Sequence, residues 1–286
     1  MNYEPLIERD LDAIPGVVRE FRASHSAHEL FLSITRFAVL AYAPSQHAKH
    51  AVLACLAAHD LREDLGDRFD DAMIECACYA AEARQPWSEP PILDPPVLDA
   101  DQRGDLDELR EAITDLDRLR GERWLAKRID DADLSRDLLA IAAEDGADLG
   151  HKLIVTHAAL RLAEILGEKG RYAMLRVAVW EMTAYPHEPF VARSLDEIVA
   201  QIIEERASIE SAHALFRFDA TLDPIVGNPQ PQIPIYRLAR DYAECLKMHA
   251  VVKRLRPQFP HIDFDAVLAA AKENLERSDF AEWSFA

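Results

Sequence analysis

Apolar residues recur at helical spacing through most of this chain. Leu134, Leu138, Leu139, Ile141 and Ala142 fall on one side of a 3.6-residue period, as do Ile198, Ile202, Ile203 and Ile209. Between such stripes the residues are rich in Ala, Leu, Glu and Arg, which lose little freedom in a helix. Ser194-Leu195-Asp196-Glu197 reads as a capping box, with Ser194 as N-cap and Glu197 three residues on. Prolines punctuate the pattern. The stretch from Pro86 to Pro96 and the segment through Pro224, Gly227, Asn228, Pro229, Pro231 and Pro234 cannot be helix or central strand. The pattern predicts an all-α protein.

The same pattern recurs within the chain. Residues 50–84 align without a gap on residues 151–185, an offset of 101 positions, with identities from His50/His151 through Leu65/Leu166, Gly66/Gly167 and Met73/Met174 to Ala83/Ala184. Each unit reads as a helix that starts near the His and ends at Leu-Gly. The glycine supplies a left-handed residue, and an Ala-rich helix returns antiparallel. A hairpin of this kind cannot bury its apolar stripe alone, so copies must stack. The expected architecture is stacked antiparallel hairpins with an internal duplication. One all-α domain spans 1–286, with repeat halves at roughly 20–96 and 130–215 and a C-terminal helical segment at 235–286. A degenerate third copy begins at His249-Ala250-Val251-Val252.

Composition narrows the function classes. The 286 residues are 49% hydrophobic with 9 Gly and 16 Pro, too apolar for disorder and too poor in glycine for an all-β or collagen-like chain. Asp and Glu number 51 against 32 Lys and Arg, a net charge of −19. Such a surface repels phosphate backbones and anionic membranes, so neither nucleic acid nor membrane is expected as a partner. No run of 18 apolar residues and no signal peptide appears, and Cys55, Cys76, Cys78 and Cys245 lie among Ala, Leu and Met. They read as small buried apolar residues in a reducing compartment, and a cytoplasmic protein is expected.

No G-x-G, Walker A, G-x-S-x-G or H-E-x-x-H sequence is present, which removes the commonest nucleotide, hydrolase and zinc-protease readings. Histidines remain. His47 and His50 are three apart and point to one side of a helix near its start, and His25 and His28 repeat that spacing on the preceding amphipathic helix. Pairs so spaced can share a transition metal completed by a carboxylate, and a mononuclear site of two His and a carboxylate stays open. A di-iron site lacks its second Glu-x-x-His, since only Glu210-Ser211-Ala212-His213 has that form and Asp148 before His151 reads as a cap. Equivalent positions in a duplicated fold meet near its axis. His50 and His151 therefore face a shared cavity, where they can move a proton or orient a ligand. Tyr79, Trp180, Trp87 and Tyr185 are the aromatics available to line it, and His157 points about 120° away from His151.

The run Gly150-His151-Lys152-Leu153-Ile154-Val155-Thr156-His157-Ala158-Ala159-Leu160-Arg161 resembles a His-bearing helix of the questin-oxidase-like proteins. His47-Ala48-Lys49-His50-Ala51-Val52-Leu53-Ala54-Cys55-Leu56 is similar to another helix of that family. The resemblance covers these two windows, and the second comes earlier in this chain than in the family. It implies a helical protein with a His-lined pocket for an aromatic or polyketide-like substrate, opened oxidatively with a reduced nicotinamide. His50, His151 and His157 carry over as pocket residues.

The resulting expectation is a His-lined small-molecule pocket with oxidoreductase chemistry. His50 and His151 are its acid/base groups, and His47, His157, Tyr79 and Trp180 contact substrate, while cofactor and metal are unassigned. Two alternatives stand beside it, a non-catalytic helical-repeat module that binds protein and a mononuclear metal-dependent oxygenase.

Overall fold

The computed structural model describes residues 1–42, 48–83, 104–147, 150–189, 193–205 and 248–276, together with residues 214, 215, 218, 219 and 222. The protein is all-α. In chain order the helices are α1 (Glu4–Glu8), α2 (Ile14–Ser24), α3 (Ala27–Leu40), α4 (Ala48–Asp60), α5 (Arg62–Leu65), α6 (Phe69–Ala83), α7 (Leu106–Thr114) and α8 (Arg118–Arg128). They continue as α9 (Leu134–Ala143), α10 (His151–Leu166), α11 (Glu168–Met182), α12 (Leu195–Glu205) and α13 (Phe264–Glu276), with residues 248–255 also helical. No described helix is long and apolar enough to cross a membrane.

Local chemistry sets several helix starts. Ser194 and Glu197 form the expected capping box at α12, the Glu197 N–H reaching Ser194 Oγ at 3.3 Å and the Ser194 N–H reaching Glu197 Oε2 at 2.9 Å. Ser26 and Glu29 do the same for α3. That start corrects the reading of His25 and His28 as a pair on one helix. His25 ends α2, its ring stacked on Phe21 at 3.8 Å between centroids, while His28 sits in the first turn of α3. Of the isoleucine stripe, Ile198 and Ile202 are buried but Ile203 is exposed, and Ile209 lies outside the described residues. The 134–142 stripe is buried throughout.

Two helices run through the middle. From Lys49 to Ala58 every residue of α4 except His50 is buried, and from His151 to Ala159 every residue of α10 is. Neither is amphipathic over these stretches, because each is covered on all sides: α4 by α3, α6 and α10, and α10 by α4, α9 and α11. Their alanines admit this close packing. The two lie side by side and run in the same direction, since His50 meets His151 near their starts and Asp60 accepts from Arg161 at 3.1 Å near their far ends. Both contacts join residues 101 apart. Around them the buried apolar side chains form one continuous cluster from Leu6 to Ala271.

The return helices follow two different routes. α10 runs unbroken to Leu166, turns at Gly167 and enters α11 at once. α4 stops at Asp60, and α5 plus a 3-10 turn over Gly66–Arg68 intervene before α6. Gly66 and Gly167 both have positive φ, +51° and +69°, as their sequence position predicts. Their ψ angles of −123° and −171° lie outside the left-handed helical region. These are glycine-only conformations of another kind.

Candidate functional site

The candidate site forms where α4 and α10 begin. Gly150, left-handed at φ 86° and ψ 12°, turns the chain into α10 so that His151 is its first residue, and His50 is the third residue of α4. The two imidazoles meet edge to face with centroids 5.1 Å apart and planes at 87°. His151 is buried and His50 half-buried. A separation of this size lets one small ligand touch both rings.

Each histidine has a buried lysine for a neighbour. Lys49 and Lys152 are 1% and 0% exposed, which demands a compensating charge for each. Lys49 Nζ lies 3.5 Å from Oε1 of Glu181, itself wholly buried on α11, and 5.0 Å from the centroid of the Tyr185 ring. The hydroxyl of Tyr42, just beyond α3, donates to the other oxygen of Glu181. Burial pulls the Lys49 ammonium below its usual pKa against the opposing pull of Glu181. Burial, with the Glu181 charge added, pushes the Tyr42 phenol well up.

Lys152 is held from another side. Its Nζ donates to Asp145 Oδ2 at 2.6 Å and to the Tyr185 carbonyl at 2.8 Å. Asp145 also accepts the backbone N–H groups of Ala147 at 2.9 Å and Glu188 at 3.1 Å, and His187 Nδ1 lies 3.0 Å from its Oδ2. Burial works to raise the Asp145 pKa, but hydrogen bonds from Lys152, Ala147, Glu188 and His187 outweigh it and hold the carboxyl below its ordinary value. A strap after α11, residues 183–189, is thereby fastened to the α9–α10 junction, with a single bridge between Asp145 and Pro189. Tyr185 on that strap touches both lysines, one with its ring and one with its carbonyl. Each lysine faces a carboxylate, so the charges near the two imidazoles are balanced in pairs. Imidazole is the side chain whose charge ordinarily changes near neutral pH, which makes the histidines the natural proton carriers of this group.

The structure thus brings His50, His151 and Tyr185 to one place. His157 is buried six residues further along α10. Tyr79 is half-buried on α6, its phenol pushed up to about 12 by burial and the nearby Glu82 charge. Trp180 turns to α8 instead. Its Nε1 donates to Glu122 Oε2 at 3.0 Å, and Arg176 and Arg118 sit 4.0 and 4.9 Å from its ring centroid. The next residue, Glu181, is the one that faces α4. His47, Trp87, Asp148, Glu210 and His213 lie outside the described residues. Among the described residues no group of three or more His, Cys, Asp or Glu side chains gathers as a metal-binding set.

Sequence reasoning missed Lys49, Lys152, Glu181, Asp145 and Tyr42. A signal for three of them was present: a single charge inside an apolar run, as in Ala48-Lys49-His50-Ala51, His151-Lys152-Leu153 and Val179-Trp180-Glu181-Met182. Charges so placed on central helices must be paired indoors. No protein-family model, no curated protein and no solved structure matches the chain.

Proposed function

We propose that the protein binds a small organic molecule where α4 and α10 begin, and that His50 and His151 orient it or exchange a proton with it. The 5.1 Å approach of two imidazoles from separate hairpins carries this reading. Pairing of both neighbouring lysines adds support, because it leaves the histidines as the groups that answer to a ligand. The two helices that meet are also the two that resemble the questin-oxidase-like proteins. An aromatic or polyketide-like substrate and an oxidoreductase reaction are therefore the substrate and reaction classes assigned to the site. The two contacts between residues 101 apart support descent of the hairpins from one duplicated unit.

A thermal-shift panel of nicotinamides, flavins, metals and aromatic carbonyl compounds tests the reading. A ligand at about a hundred times its Kd stabilises the native state by about 2.7 kcal/mol, enough to move the midpoint visibly. The expected result is a shift by an aromatic carbonyl compound that His50→Ala and His151→Ala each abolish. Shifts that survive both substitutions would place the site elsewhere. A panel with no shift at all would favour the helical-repeat module that binds protein.

A further inference from the structure

A second site lies on the outer side of the Asp145 cluster. A cleft of about 140 Å³ opens between α7 and α9, with Ile113 and Ile141 as its apolar wall, Arg110 and Glu144 at one end, and Asp145 and His187 at the other. That volume matches the roughly 150 Å³ at which an apolar cavity accepts one benzene ring. Arg110 is already engaged, its guanidinium 3.1 Å from Glu144 and 3.3 Å from Asp107, so the cleft offers no uncommitted cation to an anionic ligand. His187 differs. Its Nδ1 faces a carboxylate, which can only accept, so Nδ1 carries the proton and Nε2 of the neutral ring is an acceptor. The carboxylate that fixes this tautomer is itself fixed by Lys152 and two backbone N–H groups. A rigid, oriented acceptor beside a ring-sized apolar wall is complementary to one chemical class.

We propose that this cleft binds a neutral one-ring phenol, whose ring lies against Ile113 and Ile141 and whose hydroxyl donates to His187 Nε2. Protonation of the imidazole turns Nε2 into a donor and removes the acceptor. The charged groups that face it are Asp145 before α10, Lys152 on α10, Glu144 after α9 and Arg110 on α7, with Glu188 next to it on the strap. All of these except the imidazole keep one charge state over the range where imidazoles titrate, about pH 8 to about pH 5, and phenol stays neutral there.

Ligand-observed NMR with phenol and benzoate, on the full chain, reads the proposal directly. Phenol is expected to bind near pH 8, to weaken toward pH 5, and to weaken about tenfold in His187→Phe, which keeps a ring but loses the acceptor. The His187 side chain is 45% exposed, so this replacement does not threaten the fold, and circular dichroism checks that it does not. His50→Ala, at the inner site, is expected to leave the weakening with pH in place, which separates failure here from failure of the function proposed above. Absence of phenol binding, binding unchanged in His187→Phe, or benzoate binding that tightens as the pH falls would each overturn it.

Discussion

The hairpins α4–α6 and α10–α11 begin alike and are secured differently. Both entry helices carry a histidine at the site and a buried lysine beside it. In the first hairpin the lysine reaches across the molecule, because Lys49 finds its carboxylate, Glu181, on the return helix of the other hairpin. In the second it stays at home. Lys152 is met by Asp145, seven residues earlier, and by the strap that follows its own return helix. One ion pair therefore joins the two hairpins, and the other closes one hairpin on itself. Similar sequence signals thus do two jobs: setting the distance between His50 and His151, and fixing the direction from which His151 enters.

The comparison is broken most severely by removing the carboxylates. Glu181→Ala leaves Lys49 buried without its counter-charge and Tyr42 without its acceptor, and is expected to cost about 3–5 kcal/mol in urea unfolding. Asp145→Ala should cost a similar amount, but with another signature. Hydrogen exchange should rise at Glu188 and along the strap in that variant, and at the α4–α11 contact in Glu181→Ala. If both variants loosen the same region, the division of labour is wrong.

A smaller effect is expected where α11 meets α8. A Cβ on Gly121 would lie 2.7 Å from Val179 Cγ1 and 3.2 Å from Thr183 Cγ2, so Gly121→Ala should cost about 1–3 kcal/mol by overpacking. The two hairpin glycines come next. No atom crowds a Cβ at Gly66 or Gly167, which leaves backbone strain as the whole cost of alanine, about 1–3 kcal/mol. Gly167→Ala should sit at the upper end, because its joint has no spare residues, whereas α5 and the 3-10 turn can absorb part of the strain at Gly66. Equal midpoint shifts would remove that distinction. The smallest effect is one of pH. Asp145 has a folded pKa below its unfolded value, so it contributes stability above about pH 4 that is lost as the pH falls through the lower folded value. Asp145→Asn should flatten this acid limb in a series of urea midpoints, and Glu181→Gln should not reproduce the same change.

The helical architecture was legible because its signals are local. The capping box at Ser194 and Glu197, the stripe at 134–142 and the glycine positions of the two joints each act within a few residues. The meeting of His50 and His151 was legible for a different reason, since equivalent positions in similar hairpins approach one another when central helices pack in parallel. What the sequence hid is the charge pairing. Lys49 and Glu181 are 132 positions apart, and nothing local announces that either is indoors. Trp180 was misdirected for the same cause: a turn of about 100° per residue decides that Glu181 faces α4 while Trp180 faces α8. The His25–His28 pair failed because a capping box at Ser26 divides it between two helices.

Cys55 on α4 and Cys76 on α6 sit at 0% exposure, and Cys76 is pushed well above its ordinary pKa by its hydrogen bond with Cys55 and by burial. The second hairpin, residues 151–185, contains no cysteine. The molecule thus carries a chemical stopwatch on one hairpin alone. A thiol reagent can reach Cys55 and Cys76 only during an opening that parts α4 from α6, while half-buried Cys78 supplies a faster reference on the same helix. The rate of slow labelling measures how often the first hairpin breathes, and a ligand held between His50 and His151 would slow that clock without touching either sulfur.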